Sequence, residues 1–371
     1  MMDTKGKLVF RLMRMSKEQN ASDIHMQVGS RPVIRIKGDL VRLDEFEPLQ
    51  LEDMQDTISV ILKNEYDINL LKEHGSVDAA YGMHDVGRFR INIFKQRGSV
   101  SLAARRISNV IPDFQLLNLP PATSKITGFF NGLVLVTGPT GSGKSSTLAA
   151  VINDINKNRA CHILCIEDPI EFLYKNEKAM ITQRELGIDA SSFKSALKYA
   201  VRQDPDVILA GEIRDAETVE FALQAAETGH LVFGTLHSSN ASLTISRLLN
   251  FFPQEQHPQV RKNISMHLRA VVSQLLLPAI NPEVHRVPAC EIMFVNPLIS
   301  RLILEGKDDK LLRAIKAGKA DGMQDFDEAL INLVNKEFIT EETAMKFTEN
   351  PHSLEMKLKG IYLSEEGGIV S

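Results

Sequence analysis

Residues 138–145, GPTGSGKS, satisfy the pattern G-x-x-x-x-G-K-[ST] without a mismatch. Gly138, Pro139, Thr140, Gly141, Ser142 and Gly143 form a glycine-rich turn whose backbone N–H groups can close around phosphate oxygens. Lys144 would reach the outer phosphates, Ser145 would offer a hydroxyl to Mg²⁺, and Ser146 completes a hydroxyl pair. An apolar run precedes the turn and a helix-like stretch follows it, so a helix dipole points its positive end at the same charge.

Holding a phosphate is not the same as cleaving it, which needs groups that activate water. HILCIEDPIEF (162–172) ends an apolar run with Glu167, Asp168 and Glu171, and PDVILAGEIRD (205–215) ends another with Gly211 and Glu212. Acids at these ends fall on the carboxyl edge of a parallel sheet, where such sheets bind ligands. Glu212 stands where an Asp would ordinarily hold the metal. It is therefore a candidate both for a water-mediated hold on Mg²⁺ and for the general base, with Glu171 the alternative as the group that takes the proton from water. A solvated cluster of strand-end acids is the other reading.

ETGHLVFGTLHSSNA (227–241) puts His230 at the start of a buried strand and His237 at its exit. His230 reads equally as hydrogen-bonded structure. His237, with Ser238, Ser239 and Asn240 behind it, reads as a sensor of the terminal phosphate. GRFRINIFKQRG carries Arg88, Arg90 and Arg97, with Arg105 and Arg106 just beyond. Alternation places Arg88 and Arg90 on one strand face. That face is either simply solvated or supplies phosphate-stabilising arginines from outside the loop's own domain.

These residues need a framework. Strand-like runs at 132–137, 161–166, 205–210 and 230–236 alternate with helix-like stretches at 143–157, 191–203, 215–227 and 240–250, the mark of a parallel sheet with crossover helices. Residues 1–107 read as a smaller α+β domain: an amphipathic helix, strands around Gly38, a helix near 50–73, then alternating strands with turns at Asp85 and Arg97. SNVIPDFQLLNLPPA (108–122), with three prolines, reads as a linker. The second domain spans 123–371, mostly helical from about 254, with a loose tail from about 363.

A length of 371 residues suits two domains, and 43% hydrophobic with 24% charged residues suits an ordinary globular chain. No apolar run is long enough to span a membrane. The charged start, MMDTKGKLVFRLMRMSKEQN, does not suit an export signal, so a cytoplasmic site of work is expected. Cys161, Cys165 and Cys290 form no C-x-x-C pair and are expected to be reduced, buried thiols rather than zinc ligands. A net charge of −4 and the absence of tryptophan argue against a nucleic-acid translocase.

Taken together, GPTGSGKS, IEDPIEF, RQDPDVILAGEIRD and TGHLVFGTLHSSNA resemble the Walker A, Asp box, Walker B and His box of the secretion-superfamily ATPases, specifically the PilT/PilU type IV pilus retraction motors. SDIHMQVGSRPVIRIKGDL resembles their N-terminal PAS-like domain, and NPLISRLILEGK with GMQDFDEAL their C-terminal helical signatures. FFPQEQ, LRAVVSQLLLP and GMQDFDEALINL lean toward the PilU branch. The resemblance implies an α/β fold, with a PAS-like α+β domain followed by a RecA-like P-loop ATPase domain and a helical C-terminal portion. It implies ATP and Mg²⁺ at Lys144 and Ser145, Glu171 as the Asp-box acid, Glu212 as the Walker B glutamate, and His230 with His237 as the His-box pair. Arg247 matches an arginine near the active site, and Arg88, Arg90 and Arg105 match N-domain arginines that reach nucleotide, often across a subunit boundary. The implied assembly is a homohexameric ring on the cytoplasmic face of the inner membrane, working against a pilus platform protein. The extension-type relatives have a longer N-terminal region and commonly a cysteine-ligated metal subdomain, and this chain lacks both, which favours retraction. LISRLILEGK departs from the AIRNLI wording of PilT, which leaves open whether such a motor retracts alone or assists a PilT-like partner.

Overall fold

Alternation of buried and exposed residues builds the first part of the chain. In the computed structural model, which describes residues 7–36, 38–107 and 110–360 and the backbone of Tyr362–Leu363 and Ile369–Val370, the chain divides into two compact units. The first comprises 1–110 with Pro169–Leu173, the second 111–168 with 174–371. The start of the chain through residue 6, the linker residues Ser108 and Asn109, and most of the C-terminal tail lie outside the described residues.

The first unit runs α1 (Lys7–Glu18), β1 (Asp23–Gln27), β2 (Val33–Ile36), β3 (Asp39–Arg42), α2 (Leu51–Ile61), α3 (Glu65–His74), β4 (Ser76–Met83), β5 (Gly87–Gln96) and β6 (Ser99–Arg106). Its strands form one antiparallel sheet of order β3-β2-β1-β6-β5-β4. Phe89, Ile91 and Ile93 of β5 are buried together with Val9, Leu12 and Met13 of α1, while Arg90 between them is exposed. The single helix expected near 50–73 is two helices. Leu62 leaves helical geometry, and the Asn64 side chain accepts a hydrogen bond from the Asp67 N–H at 2.8 Å, capping α3 afresh.

The second unit opens with a 3-10 turn, Pro121–Gly128, and packs Leu119 of the proline-rich stretch into its core. It continues through β7 (Gly132–Thr137), α4 (Lys144–Asn158), β8 (His162–Glu167), β9 (Met180–Glu185), α5 (Phe193–Ala200), β10 (Val207–Ala210), α6 (Ala216–Glu227), β11 (Leu231–Leu236), α7 (Ala241–Leu249) and α8 (His257–His267). Then come β12 (Leu268–Pro278), β13 (Arg286–Phe294), α9 (Pro297–Leu304), α10 (Leu311–Ala317), α11 (Phe326–Asn335), α12 (Glu341–Phe347) and α13 (Pro351–Leu358). The seven strands order as β13-β12-β7-β11-β10-β8-β9, all parallel except the β12–β13 pair. Every residue of β7 and of β11 is buried. Helices cover both faces: Leu133 and Leu135 pack toward α6, α7 and α8, whereas Val134 and Val136 pack toward α4.

The region beyond 254, expected to be mostly helical, carries β12 and β13 before the helices begin again at Pro297. LRAVVSQLLLP is buried on both sides, so it has no period of two, and periodicity cannot tell such a run from a buried helix. Beyond α13, Tyr362–Leu363 and Ile369–Val370 pair antiparallel. All three cysteines are free; Cys165 and Cys290 are buried, but Cys161, one residue before β8, is only half-buried.

Candidate active site

Between the end of β7 and the start of α4 the chain must reverse within residues 138–143, and glycine supplies the backbone angles. Gly138, Gly141 and Gly143 have φ of 143°, 79° and 89°. Gly143 occupies the N-cap of α4 and offers no side chain to its leading N–H groups. An uncapped helix start is a ready anion site. Lys144, Ser145 and Ser146 form the opening turn of that helix and are half-buried, while Pro139 and Thr140 are exposed. The Lys144 ammonium donates to the carbonyls of Gly138 and Pro139 at 2.9 and 3.0 Å. Ser142 Oγ is buried and finds no hydrogen-bond partner among the described residues. A glycine cradle, a folded-back lysine and an unpartnered hydroxyl fit a phosphate chain.

Register brings the acids to the same edge. Thr137 pairs with Leu236, Gly234 with Ala210, and Ala210 with Ile166, so β7, β11, β10 and β8 end side by side. Just past those ends, Arg214 donates to Glu212 Oε2 at 2.8 Å and to Asp168 Oδ2 at 3.4 Å. His237 Nε2 lies 3.3 Å from Glu212 Oε1. The bond from Arg214 holds the Glu212 carboxyl below its ordinary range against the opposing effect of burial, with help from the charges of Arg214, His237 and Lys144. Arg214 is raised in return, chiefly by Glu212. Glu212 is therefore ionised at neutral pH, and as long as Arg214 holds it, it is a weak proton acceptor.

The other expected residues divide between the two units. His230 sits at the opposite end of β11, roughly 20 Å along the strand from His237. Its Nδ1 is 2.9 Å from the Ala225 carbonyl and 3.1 Å from Thr228 Oγ1. His230 and His237 thus flank β11 at its start and its exit, as the sequence places them, and the two lie at opposite edges of the sheet. Arg247 is exposed on α7, stacked over Phe251 with 5.1 Å to the ring centre, and about 9 Å along the helix axis from its first residue. Glu171 is exposed in the segment Pro169–Leu173, which belongs to the first unit. In that unit Arg35, Asp23, Arg105 and Arg90 form one cross-strand row over β2, β1, β6 and β5. Arg105 Nε donates to Asp23 Oδ1 at 2.8 Å. Burial alone would raise the Asp23 carboxyl, but hydrogen bonds from Ser22 and Arg105 outweigh it and hold it low. Arg88, two residues from Arg90, shares its face and is half-buried.

Three residues of the second unit escaped the sequence reading. Arg214 was signalled only by the Glu-x-Arg spacing of GEIRD. Gln274, 3% exposed, reaches the phosphate loop from β12; a polar Ser-Gln pair inside an apolar run was its only sign. Glu291 on β13, also 3% exposed, accepts from the Ala241 N–H at 2.7 Å, at the start of the helix that follows His237. Burial pushes its carboxyl up to about 7.

A model of the type II/IV secretion system protein family matches residues 7–303. The chain is 41% identical over 342 residues to the type IV pilus retractation ATPase PilT of Pseudomonas aeruginosa, covering 92% of this chain and 98% of that protein. It is 37% identical over 349 residues to the type IV pilus ATPase PilU of the same organism, covering 94% and 91%. Overall identity therefore does not follow the PilU-like wording of the individual motifs. A crystal structure of the pilus retraction motor PilT with bound ADP is similar at a TM-score of 0.85 and 44% identity, over 94% of this chain and 98% of that one. The chain belongs to the type II/IV secretion system protein family.

Proposed function

We propose that this chain is an ATP-hydrolysing motor that powers retraction of type IV pili. The observation that carries the reading is the convergence of a complete phosphate loop, Glu212 and His237 on one sheet edge. The identity to a retraction ATPase along nearly the whole chain supports the biological setting.

ATP binds with its phosphates against the backbone N–H groups of 138–146, and Lys144 exchanges two backbone carbonyls for phosphate oxygens. Ser145 and, through water, Glu212 form a donor set of hard oxygens that fits Mg²⁺, which when bound neutralises charge on the phosphates. Glu212 orients the attacking water and takes its proton, a role that requires Arg214 to loosen its hold. His237, beside Glu212, reads the terminal phosphate. In a homohexameric ring, Arg88, Arg90 and Arg105 stabilise phosphate charge from the first unit, with Glu171 as a second acid and Arg247 as a further cation. His230 keeps a structural place. Among the described residues no helix is long and apolar enough to cross a membrane. The ring works in the cytoplasm, bound peripherally to a platform protein at the inner membrane, alone or beside a PilT-like partner, and without nucleic acid.

The test is steady-state ATPase activity of the purified chain beside Glu212→Gln, with particle mass measured with and without ATP. Glu212-dependent turnover by a particle of about six chains supports the motor. A ring that binds ATP without turnover moves the reading to an auxiliary subunit of an active partner. Absence of nucleotide binding rejects both.

A further inference from the structure

The phosphate loop is shaped by a residue far outside its motif. Ser273 of β12 pairs with Thr137, the last residue of β7, and the two hydroxyls hydrogen-bond at 2.9 Å. Gln274 follows, at the point where β7 gives way to the loop. Its Nε2 donates to the Ser142 carbonyl at 2.7 Å, and its Oε1 accepts from the Thr147 hydroxyl at 2.7 Å. The carboxamide thus ties the loop to the first turns of α4, and each of its ends has one well-defined job.

The same residue accounts for two of the motif's glycines. A Cβ on Gly138 would stand 2.3 Å from the Gln274 carbonyl oxygen, and one on Gly143 would stand 2.8 Å from Gln274 Nε2. Backbone and side chain of Gln274 therefore fill the two places where the loop can carry no side chain. Ser142, whose carbonyl is held, keeps a buried hydroxyl without a partner among the described residues.

We propose that Gln274 is a positioning residue for nucleotide binding: its buried carboxamide clamps Ser142 and Thr147 and so presets the loop in its phosphate-accepting shape. Preorganisation of this kind lowers the ordering cost of binding, so its loss appears mainly as weaker affinity. The inference rests on the reading of the loop as a nucleotide site.

The test measures binding of a fluorescent ADP analogue to the full-length wild type, Gln274→Leu and Gln274→Glu across mildly acidic to mildly alkaline pH, with thermal unfolding of each as a fold control. Gln274→Leu is expected to bind about tenfold more weakly, because it leaves the buried Ser142 carbonyl unpaired. Gln274→Glu provides the sharper readout. When protonated, its carboxyl can donate to the Ser142 carbonyl and accept from Thr147; when ionised, it repels that carbonyl. The residue opposite on β13 is Cys290, whose thiol burial pushes up to about 12, Thr147 on α4 is neutral, and the loop's own cation is Lys144. The affinity of Gln274→Glu relative to wild type should therefore fall as pH rises. Gln274→Leu that unfolds like wild type and binds the analogue equally well overturns the clamp, since packing alone requires no donor to the Ser142 carbonyl. Failure of the wild type itself to bind the analogue rejects the nucleotide reading instead.

Discussion

The two ends of β11 carry the same residue type in opposite circumstances. At the exit, His237 stands 3.3 Å from Glu212, which in turn is held by Arg214, within a cluster that includes Asp168. At the start, His230 is matched with a backbone carbonyl and a threonine hydroxyl. Imidazole chemistry is identical at both places, and what differs is the strand's polarity. All four neighbouring strands, β7, β8, β10 and β11, run the same way, so their connections gather charge at one edge and leave the other to structural hydrogen bonds.

The most drastic way to test that contrast is to silence the loaded edge at its centre. Glu212→Gln preserves shape and removes the proton acceptor, and it is expected to bind ATP near normally while losing ~10²–10⁴ in kcat. Near-normal turnover would remove Glu212 from the chemistry. The histidines then break the comparison directly. His237→Ala is expected to lower kcat on the order of 10²-fold, as removal of one catalytic hydrogen-bonding group does. His230→Ala is expected to leave kcat unchanged and to cost about 1 kcal/mol of stability through its lost hydrogen bond. Equal losses of kcat in the two variants would show that the far edge also feeds the reaction, as it could through a neighbouring subunit.

Arg214 sharpens the contrast within the loaded edge. Its hydrogen bond is the main reason that the Glu212 pKa is depressed, so the ionised state persists to lower pH than it does in the unfolded chain. The stabilisation it gives is present above the unfolded pKa and is lost as pH falls through the folded one. Arg214→Ala lets the carboxyl rise toward, or by burial above, its ordinary value. The acidic limb of the kcat/KM profile should therefore move to higher pH, which a pH–rate profile of both proteins would show. An unmoved limb would mean that some other group sets it.

Much of this edge is legible in the sequence, because its signals are local. The glycine spacing of 138–145, the apolar runs that became β7, β8, β10 and β11, and the polar residues at their ends all lie within short windows. Gln274 was not legible: it meets Ser142 across 132 residues of chain, through a strand buried on both faces that had no period to betray it. β9 was missed for the opposite reason, since MITQRE at the sheet edge is too polar to read as a strand of a parallel sheet. Arg214 lay in plain view beside Glu212, but a Glu-x-Arg spacing forms a salt bridge only when the chain beyond the strand turns the two side chains together. His230 was placed correctly at the start of its strand; that it faces away from the loop follows from strand direction rather than from residue type.

The smallest expected effect lies one layer behind the loaded edge, where Glu291 receives the Ala241 N–H at the start of α7. Burial raises its carboxyl to about 7 from 4.5; Asp325 and Glu349 push the same way, while the Ala241 hydrogen bond and Lys316 oppose. Between those two values the folded chain keeps a proton that the unfolded chain has released. Stability contributed by this group is therefore complete below the unfolded value and declines as pH rises through the folded one, by roughly 3 kcal/mol at most. Gln at 291 cannot titrate, yet its carbonyl can still accept from Ala241. Thermal unfolding of Glu291→Gln should match wild type at acidic pH and exceed it progressively toward neutral and alkaline pH. Parallel curves would show that Glu291 does not titrate within this window. If kcat follows the same divergence, the proton on Glu291 reaches the chemistry through α7 and the His237 segment; if stability alone moves, Glu291 belongs with His230 among the residues that hold the frame.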